Sequence, residues 1–331
     1  MPRPQHAGRL DRVYTTRTPR VVAARKLLRR RDRDAVGRFL AEGPQAVREA
    51  LAVPGLVREL FGTPAALARH ADLAGAAAGA GAGVSAVDDA ALAALAETVA
   101  PQGVVALCDQ LDVPLAEALR RAPRLVAVLV QVRDPGNAGT VLRTADAAGA
   151  GAVVFAGDAV DPYNGKAVRA SAGSLFHLPV VRERDPAAAV AALRAAGLRV
   201  LAATGHGDTD LEALARAGGL AAPTAWLFGS EAHGLPPELL AAADARVRVP
   251  IHGRAESLNL AAAAAVCLYS SARAHRAPAD AGPAHRPAGH GPADRPAGHG
   301  PADHGPADRR PARRPPPGAP AGQPTTEESS P

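Results

Sequence analysis

The sequence predicts an α/β fold in two domains, the second built on a parallel sheet with helices on both faces. Three observations predict it. Short apolar runs alternate with alanine-rich helical stretches between residues 38 and 275. The runs of the second half, such as LVAVLVQV and AVVFAG, are apolar throughout, as in strands buried on both faces. From about residue 277 large apolar residues vanish, which bounds the folded part.

In chain order, residues 1–37 read as a basic N-terminal arm or helix. Residues 1–38 hold 12 Arg or Lys against Asp11, Asp32 and Asp34, a net of +9 that exceeds the +6 of the 331-residue chain. Such concentrated charge suits a polyanion such as RNA. A small α/β domain is expected over 38–124. RFLAEG (38–43), LVRELFG (56–62) and VVALCD (104–109) read as strands, and PQAVREAL (44–51) and PAALARHADL (64–73) as helices. Gly79-Ala-Gly81-Ala-Gly83 imitates a dinucleotide fingerprint but neither follows a β-branched strand nor opens a periodic helix, so it reads as a flexible loop. LDVPLAEALRRAPR (111–124) reads as a helical bridge.

The second domain is expected over 125–275. Its strands are placed at 125–132, 152–157, 198–204, 224–229 and 245–250, with LFHLPVV (175–181) continuing the pattern. Helices are placed at 138–148, 165–173, 186–197 and 257–272, the first and third stopping at Gly149 and Gly197. Residues 276–331 read as a disordered tail with the imperfect repeat PAGHGPADR, PAGHGPADH. Its His285, His290, His299 and His304 have ligand chemistry, but the composition reads as drift and no metal is expected.

Cys108 and Cys267 each stand alone in an apolar run, so neither a disulfide framework nor a zinc site is predicted. MPRPQHAGRL has no apolar signal region, and no run is long enough to span a membrane, so a cytoplasmic location is expected.

In parallel sheets ligands gather beyond the carboxyl ends of the strands. Three strand-end segments there hold residues that a plain turn does not need: DPGNAGTVLR (134–143), FGSEAHGLPPEL (228–239) and PIHGRAESLN (250–259). Taken singly, Asn137 could cap a helix, Gly139 could permit close packing, Glu231 could be an exposed acid and Ser257 could cap the last helix. Arg143 is harder to dismiss. Its neighbours Val141, Leu142 and Ala145 read as core-facing, so its guanidinium is expected to meet a partner or a cleft.

Together these segments resemble the SpoU/TrmH-type RNA 2′-O-ribose methyltransferases of the SPOUT class. The first motif, Asn-x-Gly-x-x-x-Arg, is met by Asn137, Gly139 and Arg143. Gly229, Glu231 and Gly234 meet the second, with Ser230 where relatives often carry Asn or Ala. The third is met by Pro250, Ile251, Ser257, Leu258 and Asn259. FLAEGPQAVREAL (39–51) and PQG (101–103) after Thr98 resemble the N-terminal substrate-binding domain of that family. The likeness covers roughly 20–272.

The resemblance implies a SPOUT-type sheet with a trefoil knot, a homodimer, and methyl transfer from S-adenosylmethionine to a ribose 2′-hydroxyl. It implies catalytic roles for Asn137, Arg143, Glu231, Ser257 and Asn259. Arg143 would meet the hydroxyl and adjacent phosphate as orienter and as proton acceptor or relay, and Asn137 would orient Arg143 or bind ribose. The donor would lie bent against Gly229, Val249, Ile251 and Leu258, with Thr204 nearby. Two domains favour ribosomal RNA as substrate, with transfer RNA as the alternative. A catalytically idle RNA-binding module stays open, and so does a nicotinamide-dependent oxidoreductase, which lacks its glycine fingerprint on the first βα turn.

Overall fold

Residues 12–276 are described by the computed structural model; residues 1–11 and the tail from 277, with its histidines and the start of the basic segment, lie outside them. The first domain comprises α1 (Pro19–Lys26), α2 (Arg30–Val36), β1 (Arg38–Glu42), α3 (Pro44–Ala52), β2 (Val57–Gly62), α4 (Pro64–Arg69), α5 (Ala71–Gly79), β3 (Gly83–Ala86), α6 (Asp89–Leu95) and β4 (Val104–Asp109). Its sheet runs β1-β4-β2-β3, with β4 antiparallel to both neighbours and β2 parallel to β3. Simple βα alternation therefore does not describe it.

Two readings of this half change. Residues 12–37 are not a free arm. Val21, Ala24 and Leu27 are buried in one cluster with Leu40, Phe61, Leu92 and Val105, so α1 and α6 cover one face of the sheet. Arg20, Arg25 and Lys26 lie on the exposed side of α1, whereas Arg33 of α2 is buried. The glycine run is also more ordered than a loop. Alanine-rich α5 continues to Gly79, Gly81 turns at φ +79°, and Gly83 starts a strand whose ladder needs only backbone groups.

A short helix, α7 (Leu115–Arg120), leads into β5 (Leu125–Val130), α8 (Pro135–Ala148), β6 (Ala152–Ala156), α9 (Gly165–Ala170), β7 (Val180–Glu183), α10 (Pro186–Ala195), β8 (Arg199–Ala203), β9 (Thr209–Asp210), α11 (Leu211–Arg216), β10 (Thr224–Phe228), α12 (Pro237–Ala242), β11 (Ala245–Arg248) and α13 (Leu260–Arg276). The seven strands are all parallel, in the order β7-β6-β5-β10-β8-β11-β9. LFHLPVV opens with a 3₁₀ turn at Ser174–Phe176 and becomes strand only at Val180.

The central strands β5, β6 and β10 are buried along their whole length, as their unbroken apolar sequences require. One face packs on α8 and α13; the buried Trp226 Nε1 donates to Ser271 Oγ at 2.9 Å and fixes α13 on β10. The other face carries α7, α10 and α12. Asp185 and Asp210 accept backbone N–H bonds that start α10 and α11. An aromatic seam joins the two sheets: Phe39 of β1 lies 4.7 Å from Tyr163 and 6.2 Å from Phe176, ring centre to ring centre. Charged pairs surround that seam, so the first domain is docked on the second.

Candidate functional site

The strand order sets the carboxyl ends of β5, β10, β8 and β11 side by side. The three polar segments follow β5, β10 and β11, so the topology brings them to one edge. Gln131, just past β5, holds the left-handed conformation at φ 54° as the chain leaves the sheet.

α8 starts three residues earlier than its hydrophobic pattern suggests. Asp134 is its N-cap, Pro135 sits in its first turn, and the carboxylate accepts from Asn137 N at 2.7 Å. Asn137 is thus inside the helix, and its side chain is free for other work. Asn137 Nδ2 donates to Glu231 Oε1 at 2.9 Å, and Asn137 Oδ1 accepts from Asn259 Nδ2 at 3.0 Å. One residue from each motif therefore meets in a single chain of hydrogen bonds. Asn259 Oδ1 also accepts from Ala261 N and Ala262 N, which makes Asn259, not Ser257, the cap of α13.

Glu231 accepts two further bonds, from Arg133 N at 3.3 Å and Asp134 N at 3.4 Å. Partial burial pushes its carboxyl pKa up. The Asn137 amide and the backbone N–H groups outweigh burial and hold it below the usual carboxylate range. Asp134 is likewise held low, first by its bond from Lys166 and then by Asn137 N–H; Lys166 Nζ lies 2.8 Å from its carboxylate.

The glycines explain themselves by what a Cβ would strike. At Gly139 it would strike Ala167 O, so α8 and α9 approach backbone to backbone there. At Gly229 it would lie 2.2 Å from the carbonyl carbon of Gly234. Residues 230 and 234 bond reciprocally, Ser230 N to Gly234 O at 3.1 Å and Gly234 N to Ser230 O at 2.8 Å. Gly229 thus serves closure of its own loop.

Among the expected donor residues, Thr204 N donates to Val247 O at 2.9 Å and its hydroxyl stands beside His206 N. Val249 is half-buried, whereas every residue from 251 to 259 is exposed, including Ile251, Ser257 and Leu258. Among the described residues, 251–258 donate no backbone hydrogen bond to another backbone carbonyl. This edge therefore offers free backbone donors beside uncovered apolar side chains. Ser257 makes no hydrogen bond among the described residues and is not part of the Asn137 network.

Of the partner or cleft expected for Arg143, no partner is present among the described residues. Val141, Leu142 and Ala145 are buried, but Arg143 lies on the opposite side of α8 with Thr140 and Ala147, exposed. Its guanidinium has no hydrogen bond or ion pair among the described residues. No hydrogen bond joins Asn137 to Arg143; the Asn137 amide is engaged by Glu231 and Asn259 instead. The sequence argument missed Asp134, Lys166 and Arg133. Asp134-Pro135 was a legible helix start; for Lys166 no sequence signal existed.

Both cysteines are free and buried, and burial raises both thiol pKa values, that of Cys267 to about 12. No group of His, Cys, Asp or Glu that could hold a metal exists among the described residues.

Comparison with known proteins places this geometry. Residues 124–269 match the SpoU rRNA Methylase family, and residues 18–106 match the MRM3-like substrate binding domain. The 23S rRNA (guanosine(2553)-2′-O)-methyltransferase RlmP of Bacillus subtilis (strain 168) is 34% identical over 260 residues, 78% of this chain and 98% of that protein. The 23S rRNA (uridine(2479)-2′-O)-methyltransferase of Streptomyces viridochromogenes is 39% identical over 179 residues, 53% of this chain and 61% of that protein. The crystal structure of an AdoMet-bound rRNA methyltransferase from Sinorhizobium meliloti superposes with a TM-score of 0.68 at 33% identity, covering 79% of this chain and 97% of that one. The chain belongs to the SpoU rRNA methylase family.

Proposed function

We propose that this protein transfers a methyl group from S-adenosylmethionine to a ribose 2′-hydroxyl of ribosomal RNA. The observation that carries the reading is the Glu231–Asn137–Asn259 chain, which locks three strand-end loops into one site. Relatives named as 23S rRNA 2′-O-methyltransferases, and neighbours crystallised with AdoMet, support the reaction and the donor.

The residues fit the donor. Free backbone donors over 251–258, with Ile251 and Leu258 uncovered beside them, suit an adenine held by main-chain atoms and apolar contact. Thr204, Gly229 and Val249 line the neighbouring strand ends. When bound, S-adenosylmethionine supplies an electrophilic sulfonium methyl. Asn137, Glu231 and Asn259 hold α8 at a fixed distance from the donor loops, so the hydroxyl and the methyl approach in line. Arg143 donates from its guanidinium to the 2′-oxygen and the adjacent phosphate, stabilising negative charge as the hydroxyl proton passes to solvent water. Ser257, free of other bonds, hydrogen-bonds the nucleotide from the third loop.

The protein acts as a homodimer in this reading. Val266 and Tyr269 on α13 are exposed apolar residues, and with Val249, Leu258 and α11 they line a cavity of about 1080 Å³. A cytoplasmic location is supported by two unpaired thiols; no described helix is long and apolar enough to cross a membrane. Nucleotide-resolution mapping of 2′-O-methylation in a deletion strain tests the function. One ribosomal RNA site should lose its methyl group and regain it on complementation. An unchanged map would refute the reading.

A further inference from the structure

A second cavity, of about 340 Å³, lies on the same edge of the sheet as the proposed catalytic site. It opens at the carboxyl ends of β6 and β7, between them and α2. Neighbouring strands are about 4.8 Å apart, so β7 stands roughly 10 Å from β5. Arg133 joins the two places. Its backbone N–H donates to Glu231, and its guanidinium pairs with Asp158, just past β6, at 2.8 Å.

The walls of the cavity define what it can hold. Phe155, Gly157, Ala159 and Val160 give an apolar side. Three arginines, Arg30, Arg182 and Arg184, face three acids, Asp34, Asp112 and Glu183. This balance does not favour a bare phosphate. Arg182 is held by Asp34 at 2.8 Å, by Asp112 at 3.1 Å and by Gln110 Oε1 at 3.0 Å. Arg30 donates to Ala159 O and pairs with Asp34. Arg184 alone of the three has no partner among the described residues, and it is exposed at the rim. A flat group with donor and acceptor edges fits such walls, and a planar guanidinium can stack on it.

We propose that this cavity receives an unstacked base of the RNA, one nucleotide away from the ribose that is methylated, with Arg184 stacking over it. The proposal rests on the RNA methyltransferase reading and adds to it a base-recognition site distinct from the donor pocket. The separation along the sheet edge suits the neighbouring nucleotide of a single strand, and Arg133 and Asp158 stand between the two.

The test measures binding of three RNA hexamers to the full chain: hexauridylate, hexaadenylate, and a hexamer of abasic ribose-phosphate. Wild type should bind the two with bases at least roughly tenfold more tightly than the abasic one. Arg184→Ala, and separately Val160→Trp to fill the cavity, should bring that ratio close to one. An abasic hexamer bound as tightly as the others by wild type would overturn the proposal. So would a ratio left unchanged in Arg184→Ala, whatever the folding of the tryptophan variant. Titration with S-adenosylhomocysteine and methylation of purified ribosomal RNA, on the same preparations, report separately on the underlying reading. Normal results there with an unmoved ratio remove only the base site.

Discussion

Asn137 has one acceptor and one two-proton donor on its side chain, and the structure engages both ends on different loops. Removing it leaves Glu231 and Asn259 each short of a partner at the edge of the sheet. Asn137→Ala is expected to weaken S-adenosylhomocysteine binding and to lower kcat by about 100-fold while the melting temperature moves little, because these groups reach water; isothermal titration and single-turnover assays separate the two effects. Arg143 makes the opposite case. It is exposed and makes no hydrogen bond or ion pair among the described residues, so its replacement should cost little stability. Arg143→Ala is expected to reduce methyl transfer about 100-fold or more with an unchanged melting curve. Arg143→Lys should fail as well, since an ammonium cannot reproduce the planar fork. Turnover close to wild type in the lysine variant would remove the guanidinium from the reaction. The sequence pointed to Arg143 for a reason the structure does not support: apolar neighbours in sequence were read as a buried setting. On a helix, however, residues 141, 142 and 145 face one way and 140, 143 and 147 another.

At the scale of elements, the strands of the parallel sheet were legible because their burial on both faces writes unbroken apolar runs into the sequence. Elements whose signal was faint went unread. β9 has two residues, and α6, α11 and α12 have six or seven each, too short for a clear period. β3 was hidden inside a glycine run. The hydrogen bonds that join the three loops could not be read either, because they depend on which strand ends become neighbours. The glycine of the first motif could be understood only from packing. α8 and α9 approach so closely at Gly139 that a side chain has no room. Gly139→Val is expected to destabilise the protein by about 1–3 kcal/mol through overpacking, and to lower activity by displacing the first turn of α8. Denaturant unfolding measures the first effect. A midpoint equal to wild type would mean that α9 can move aside freely.

At the scale of the whole molecule, what matters is how the first domain is held against the second. The composition suggested a basic N-terminal arm or helix suited to RNA; the structure ties residues 12–37 of that segment into the fold. His177 forms one clasp. It lies 2.7 Å from Asp146 on α8 and 3.2 Å from Glu49 on α3. The Asp146 bond raises its pKa; burial opposes this, and Glu49 adds to the rise. A raised folded-state pKa stabilises the fold fully below the unfolded value of about 6.5, and that contribution fades as pH rises through the folded value. Melting temperature should therefore fall by a small amount as pH rises above about 6.5 and through the raised folded-state value, since the ring is partly exposed. His177→Gln should flatten that portion of the profile; an identical slope in the variant would assign the pH dependence to another group.

The second clasp is buried and carries more. Arg33 of α2 pairs with Asp161, in the connection between β6 and α9, at 2.7 Å, and both side chains are almost fully covered. Arg33 also donates to Leu27 O and Leu28 O, and Asp161 accepts from Tyr163 N, so every side-chain nitrogen and carboxylate oxygen of the pair has a partner. Taking away one partner strands a charge out of water, which typically costs about 3–5 kcal/mol, whereas removing both charges together is far milder. Arg33→Ala is expected to lower the melting temperature by on the order of 10 °C. Arg33→Met with Asp161→Asn should recover much of that loss, because the amide oxygen still accepts from Tyr163 N. RNA affinity should fall in the single variant further than S-adenosylhomocysteine affinity, since the donor loops belong to the second sheet alone while RNA is expected to span both domains. Calorimetry on the single and double variants, with both ligands titrated into each, checks the whole chain of argument. Equal loss of both affinities would mean that the pair supports general stability and does not orient one domain on the other.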